Sequence, residues 1–284
     1  MSDDVSNGSE IWERLIYPVA TSVAELLKEP DFRSKITGLF VRRPNQHVVV
    51  IGSSGAGKTA VVRALTGSSP YVSGDVRTKE AEVFSLIADK AAFNIIDTPG
   101  HNFYKEDARN VVEKLIKSKK SDSCLGIINV VSYGYHEGRS GTEKDAMDKE
   151  KKTINETYLK EKREDEIAIL RDWLKYFRTK EHRIDWLLTL VSKADLWWNP
   201  DTADQILGHY GDLNSAYVKK GIGDKEQVER LSHSVCTHSS IHRLFYNRIP
   251  MSGYYSSLQQ AVDCQNTIRS IISLAEEASG RLVE

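Results

Sequence analysis

Residues 52–59 read Gly-Ser-Ser-Gly-Ala-Gly-Lys-Thr, and no other stretch restricts what this chain can fold into as tightly. The run satisfies G-x-x-x-x-G-K-[ST], and both of its flanks are those the motif needs. HVVVI before it is an apolar run of strand length, and Lys58–Leu65 after it has helical spacing. Glycines at positions 52, 55 and 57 let the backbone curl tightly enough to aim its N–H groups at phosphate oxygens, and the start of the helix adds the positive end of a dipole. The loop residues that would line the phosphates are Gly52, Ser53, Ser54, Gly55, Ala56, Gly57 and, at the helix start, Lys58, Thr59 and Ala60. Lys58 would reach the β- and γ-phosphates, and Thr59 would offer its hydroxyl to Mg²⁺.

The rest of the chain alternates in a way that fits this strand–loop–helix start. Ala81–Ile87, Ala92–Ile96, Cys124–Val131, Trp186–Val191 and Ser234–Thr237 read as strands, and Lys105–Lys117, Thr202–Val218 and Ser257–Ala278 as helices. That pattern predicts an α/β fold, a predominantly parallel sheet sandwiched by helices, with ligand at the carboxyl ends of the strands. Gly138–Arg183 is a long insert. Its first half is so charged that a solvated helix or a mobile loop is expected, and Ile167–Phe177 is amphipathic. At the other end, apolar residues recur at helical spacing over 11–28, with Pro18 as a kink. The expected division is an N-terminal helical extension over 1–45 and a nucleotide-binding domain over 46–284, with its charged insert at about 138–183.

Composition excludes more than it assigns. Lysine plus arginine number 39 against 40 for aspartate plus glutamate, so the net charge of -1 sets up no field that would draw in nucleic acid or an acidic membrane. Cys124, Cys236 and Cys264 are odd in number, widely spaced and not at metal-ligand spacing, which reads as reduced, cytoplasmic thiols. The acidic N-terminus lacks a secretory pattern, and no apolar run approaches the roughly 20 residues that span a bilayer. A soluble protein is expected.

Two further motifs stand at strand ends. Asp97-Thr98-Pro99-Gly100 follows AAFNII, which sets the Asp97 carboxylate where the Mg²⁺ shell needs it and the Gly100 N–H where it can approach a γ-phosphate without obstruction. Ser192-Lys193-Ala194-Asp195 closes DWLLTLV. The Asp195 carboxylate can accept from two adjacent donors, which guanine presents at N1–H and its 2-amino group and adenine lacks. Lys193 can lie along the base and brace the phosphate loop.

GSSGAGKT, DTPG and SKAD, in this order and each at a strand end, resemble the signature elements of the TRAFAC class of P-loop GTPases over roughly residues 46–237. The fourth signature usually begins with Asn or Thr; Ser192 removes an amide or branched hydroxyl that braces the loop, which bears on guanine affinity. The resemblance implies a switch threonine, for which Thr78 in SGDVRTKEAE is the candidate, binding Mg²⁺ and the γ-phosphate. It implies that His101, directly after DTPG, stands where Ras-like proteins place a water-orienting glutamine and translational GTPases a histidine. It also implies a backbone contact to guanine from Ser234–Ser240, with Thr237 as the candidate. The expected activity is hydrolysis of GTP to GDP and phosphate with Mg²⁺, by a molecular switch that changes shape with the nucleotide. The alternatives are an assembly GTPase that forms a nucleotide-dependent homodimer and turns over slowly, and a P-loop ATPase or kinase, which leaves SKAD unexplained.

Overall fold

The computed structural model describes residues 46–67, 81–88, 91–99, 106–117, 124–137, 143–148, 153–240 and 254–281. The N-terminal extension lies outside these residues, as do Thr78, Gly100 and His101. In chain order the elements are β1 (Gln46–Gly52), α1 (Lys58–Leu65), β2 (Glu82–Ala88), β3 (Ala91–Asp97), α2 (Glu106–Lys117) and β4 (Leu125–Val131). The insert contributes α3 (Glu143–Ala146), a two-stranded hairpin of β5 (Met147–Asp148) and β6 (Thr153–Ile154), and α4 (Glu156–Thr179). There follow β7 (Trp186–Val191), α5 (Ala194–Trp197), α6 (Ala203–Gly211), a π-helical turn (Val218–Ile222), α7 (Lys225–Arg230), β8 (His233–Thr237) and α8 (Ser257–Arg281).

Six strands form one sheet in the order β2-β3-β1-β4-β7-β8. Every pairing is parallel except that of β2 with β3. Strands buried on both faces are apolar at most positions, which is why β1, β4 and β7 read as largely apolar runs; the buried Asn129 of β4 and Thr189 of β7 are hydrogen-bonded to Tyr217 OH. Alternate residues feed the two layers. Val49, Ile51, Ile127, Val131, Leu187 and Val191 pack under α4 through its Ile167, Leu170, Trp173, Leu174 and Phe177. Val48, Val50, Ile128, Val130, Leu188 and Leu190 pack under α1 and α8. Gly126 and Trp186 are register partners, and the indole lies where a side chain on Gly126 would stand.

One expectation changes, and of two alternatives for the insert one is met over Glu156–Thr179. The helix expected over Thr202–Val218 stops at Gly211, because local side chains compete for its backbone: Asp212 Oδ1 accepts from Asn214 N at 2.7 Å and Ser215 Oγ from Val218 N at 3.1 Å. The chain resumes in the π-helical turn. In the insert, the charged run from Glu156 and the amphipathic stretch after it are one 24-residue helix, capped by Asn155 Oδ1 accepting from Thr157 N. Among the described residues no helix is long and apolar enough to cross a membrane.

Candidate functional site

The parallel strands β1, β3, β4 and β7 end on the same edge of the sheet, at Gly52, Asp97, Val131 and Val191, so the segments after them converge. After β1 the chain turns through Gly52 and Gly55, with φ of +141° and +79°. A Cβ on Gly52 would lie 2.2 Å from Val130 O, and one on Gly55 2.2 Å from Glu137 O, so neither position admits a side chain without moving backbone. The loop then enters α1. Lys58 is buried, and its ammonium donates to Gly52 O at 3.0 Å and Ser53 O at 3.1 Å, which folds it back across its own loop. Burial lowers the Lys58 pKa to about 8, while the charge of Asp97 acts the other way.

Thr59 Oγ1 donates to Asp97 Oδ2 at 2.7 Å, joining the helix that leaves the phosphate loop to the end of β3. Asp97 itself is fully buried, and Thr98 Oγ1 donates to Val50 O at 2.7 Å, which ties the start of the DTPG turn to β1. A hydroxyl and a carboxylate oxygen in contact make a hard-oxygen pair that fits Mg²⁺. Among the described residues no group of three or more His, Cys, Asp or Glu gathers to hold a metal ion. Mg²⁺ in phosphate chemistry needs no such cage, because it keeps several waters and takes the rest of its ligands from the phosphates.

The segment after β7 meets this loop directly. Ser192 Oγ lies 2.6 Å from Ala56 O and 2.8 Å from Val131 O, and its one proton serves either carbonyl. Serine in place of the usual Asn or Thr thus still braces the phosphate loop. Lys193, in the left-handed region at φ 56°, donates to Tyr135 O at 2.7 Å and approaches Glu137 Oε2 at 3.3 Å; its ammonium bonds to the segment after β4. Asp195 is buried, and its Oδ1 accepts from Ser239 Oγ at 2.7 Å. Ala194 N also donates to His238 O at 3.2 Å, so the segment after β8 is pinned to the one after β7.

The site therefore brings together Gly52 to Ala60, Asp97 and Ser192 to Asp195, with Ser54 and Ala60 half-buried along the loop. Thr237 behaves otherwise. Its hydroxyl donates to Asp263 Oδ2 at 2.8 Å, toward α8, and Ser239 is the hydroxyl that reaches Asp195. The contact expected of Thr237 is a backbone one, on which the direction of its hydroxyl does not bear; nothing local in Ser234–Ser240 says which hydroxyl turns inward. Tyr135 and Glu137, which receive Lys193, were also missed because they stand in no short motif.

Residues 47–185 match the family model described as the 50S ribosome-binding GTPase. The chain carries a P-loop GTPase domain. The matched stretch of the GTPase domain ends just before β7, so Ser192–Asp195 and Ser239 lie beyond it. No curated protein matches the chain by sequence. Among solved structures, the bacterial selenocysteine-specific elongation factor EF-Sec is 15% identical over 83% of this chain, with a TM-score of 0.43, and the match spans 29% of that factor. A mammalian SRP receptor structure is 13% identical over 81% of this chain and 100% of its own, with a TM-score of 0.46. Toc33 from Arabidopsis thaliana, in complex with GDP and Mg²⁺, is 12% identical over 85% of this chain and 90% of its own, with a TM-score of 0.43.

Proposed function

We propose that this chain binds GTP with Mg²⁺ and hydrolyses it to GDP and phosphate, serving as a switch between the two bound forms. The observation that carries the reading is the contact of Ser192 Oγ with Ala56 O, at 2.6 Å. It makes a single site of the loop suited to phosphates and the segment suited to guanine. A kinase or ATPase needs only the first of these.

In this reading the backbone from Gly52 to Ala60 cradles the phosphates, and the Lys58 ammonium turns from its own carbonyls to the β- and γ-phosphates. Thr59 and Asp97 are the residues that would hold Mg²⁺, which would supply positive charge to the phosphate oxygens. Asp195, oriented by Ser239, accepts from guanine N1–H and its 2-amino group. Thr78, Gly100 and His101 take the switch and water-orienting roles on the strength of the resemblance alone. Water attacks the γ-phosphorus, the bond to the β-phosphate oxygen breaks, and the loops that had closed on the γ-phosphate are released.

Titration of labelled GTP with and without EDTA tests the phosphate half of the site. Lys58→Ala is expected to abolish measurable binding. Thr59→Ala is expected to keep the affinity seen in EDTA and to lose most of the gain that Mg²⁺ gives the wild type. Equal affinity of Lys58→Ala and wild type for GTP contradicts the reading.

A further inference from the structure

A carboxylate taken fully out of water is costly unless donors replace the lost hydration, and Glu166 is a carboxylate with a fully buried side chain on α4. The donors are present and unevenly sourced. Glu166 Oε1 accepts from Ser132 N at 2.8 Å and Gly134 N at 3.3 Å and meets His136 Nε2 at 2.7 Å, while Oε2 accepts from Tyr210 OH at 2.6 Å. Three of these four contacts belong to one short segment, the chain leaving β4. Tyr158, also on α4, donates from its hydroxyl to His136 O of the same segment at 2.6 Å.

The segment has little freedom elsewhere. It passes through Tyr133 at φ 51° and Gly134 at φ +86°, and a Cβ on Gly134 would lie 2.3 Å from Leu159 O of α4. Its other side faces the nucleotide site: Glu137 O crowds Gly55 of the phosphate loop, and Tyr135 O with the Glu137 carboxylate receives Lys193. Residues 132–137 thus touch both the phosphate loop and the base-selecting segment, and the buried Glu166 carboxylate makes three of the contacts that hold them.

We propose that Glu166 is a positioning residue for nucleotide retention, fixing residues 132–137 against the phosphate loop and Lys193 so that bound guanine nucleotide leaves slowly. The inference rests on the GTP-binding reading above. Among the described residues, Glu166 touches no part of the site that would contact nucleotide; it acts through the segment it holds. Its loss therefore loosens the wall of the site and leaves the phosphate and guanine contacts chemically intact.

The test is the release rate of fluorescently labelled GDP, chased with unlabelled GDP, beside single-turnover hydrolysis of bound GTP and competition by ATP. Glu166→Ala is expected to speed release by about tenfold or more, the scale of losing one well-made buried hydrogen bond. Glu166→Gln, which keeps an acceptor oxygen, recovers part of that. Tyr158→Phe, which removes one hydroxyl and keeps the packing, moves release in the same direction by a smaller factor. Tyr210→Phe takes one donor from Glu166 but leaves its three contacts with the segment in place, so release stays within about threefold of wild type. Hydrolysis of GTP already bound and the preference for GTP over ATP stay at wild-type levels in all four. Should Glu166→Ala fail to fold, Tyr158→Phe and Glu166→Gln carry the test. Release at the wild-type rate in every folded variant, or hydrolysis of bound GTP falling in step with faster release, overturns the proposal. A wild-type protein that binds no guanine nucleotide overturns the GTP-binding reading itself, a result the release comparison cannot imitate.

Discussion

At Lys58 the balance between desolvation and neighbouring charge has a consequence that can be measured. Its pKa near 8 means that an ammonium able to meet phosphate exists below about pH 8 and gives way to the neutral amine above it. A phosphate anion beside it raises that pKa, so nucleotide binding near pH 8 takes up a proton. Affinity for GDP is expected to be level below about pH 7 and to fall above about pH 8 by up to about tenfold per pH unit. Calorimetry in two buffers of different ionisation enthalpy at pH 8 reads the proton uptake directly; affinity that is flat from pH 7 to about 9.5, with no buffer dependence, contradicts the assignment. Lys58, Thr59, Asp97 and Asp195 were legible in the sequence because each has a fixed place in a short string, and the chemistry of that string dictates the residue. Ser239 and Glu166 were not. Ser239 and Asp195 are 44 residues apart, and Glu166 meets Ser132 across 34, so only the fold brings them together.

Elements show the same division between local pattern and distant partner. The strands were legible because burial on both faces favours runs that are mostly apolar, and α1 because it follows a motif that requires a helix. The helix over Ala203–Gly211 was overrun because hydrophobic spacing continues past Gly211 while Asp212 and Ser215 turn the chain. The first half of α4 looked solvated because its burial depends on a few residues, Tyr158, Leu159 and Glu166, set among many charges. β4 offers a test at this scale. A Cβ on Gly126 would fall 2.0 Å from atoms of the Trp186 indole, and Trp186 is fully buried, so the ring can yield only by disturbing the core. Gly126→Ala is expected to lower stability by about 1 to 3 kcal/mol, read as a lower urea midpoint at unchanged slope. A change under about 0.5 kcal/mol would mean that the indole swings aside at no cost.

Across the whole molecule, a parallel sheet between helix layers collects at one edge what the sequence distributes from Gly52 to Ser239. The sheet order puts β1 between β3 and β4, so the phosphate loop stands beside both the Asp97 turn and the segment that Glu166 holds, and β7 brings Asp195 next to β4. The family match covers the phosphate half of this arrangement and stops short of Ser192–Asp195, so the choice of guanine rests on geometry. Competition among labelled GTP, ATP and xanthosine triphosphate, on wild type and Asp195→Asn, measures it directly. Wild type is expected to prefer GTP to ATP by at least about 100-fold, roughly two charge-assisted hydrogen bonds. Asp195→Asn should weaken GTP and improve xanthosine triphosphate, because xanthine carries a carbonyl where guanine has its 2-amino group and an asparagine amide can donate to it. Wild-type protein that binds ATP as tightly as GTP, with Asp195→Asn indifferent to the base, contradicts the account.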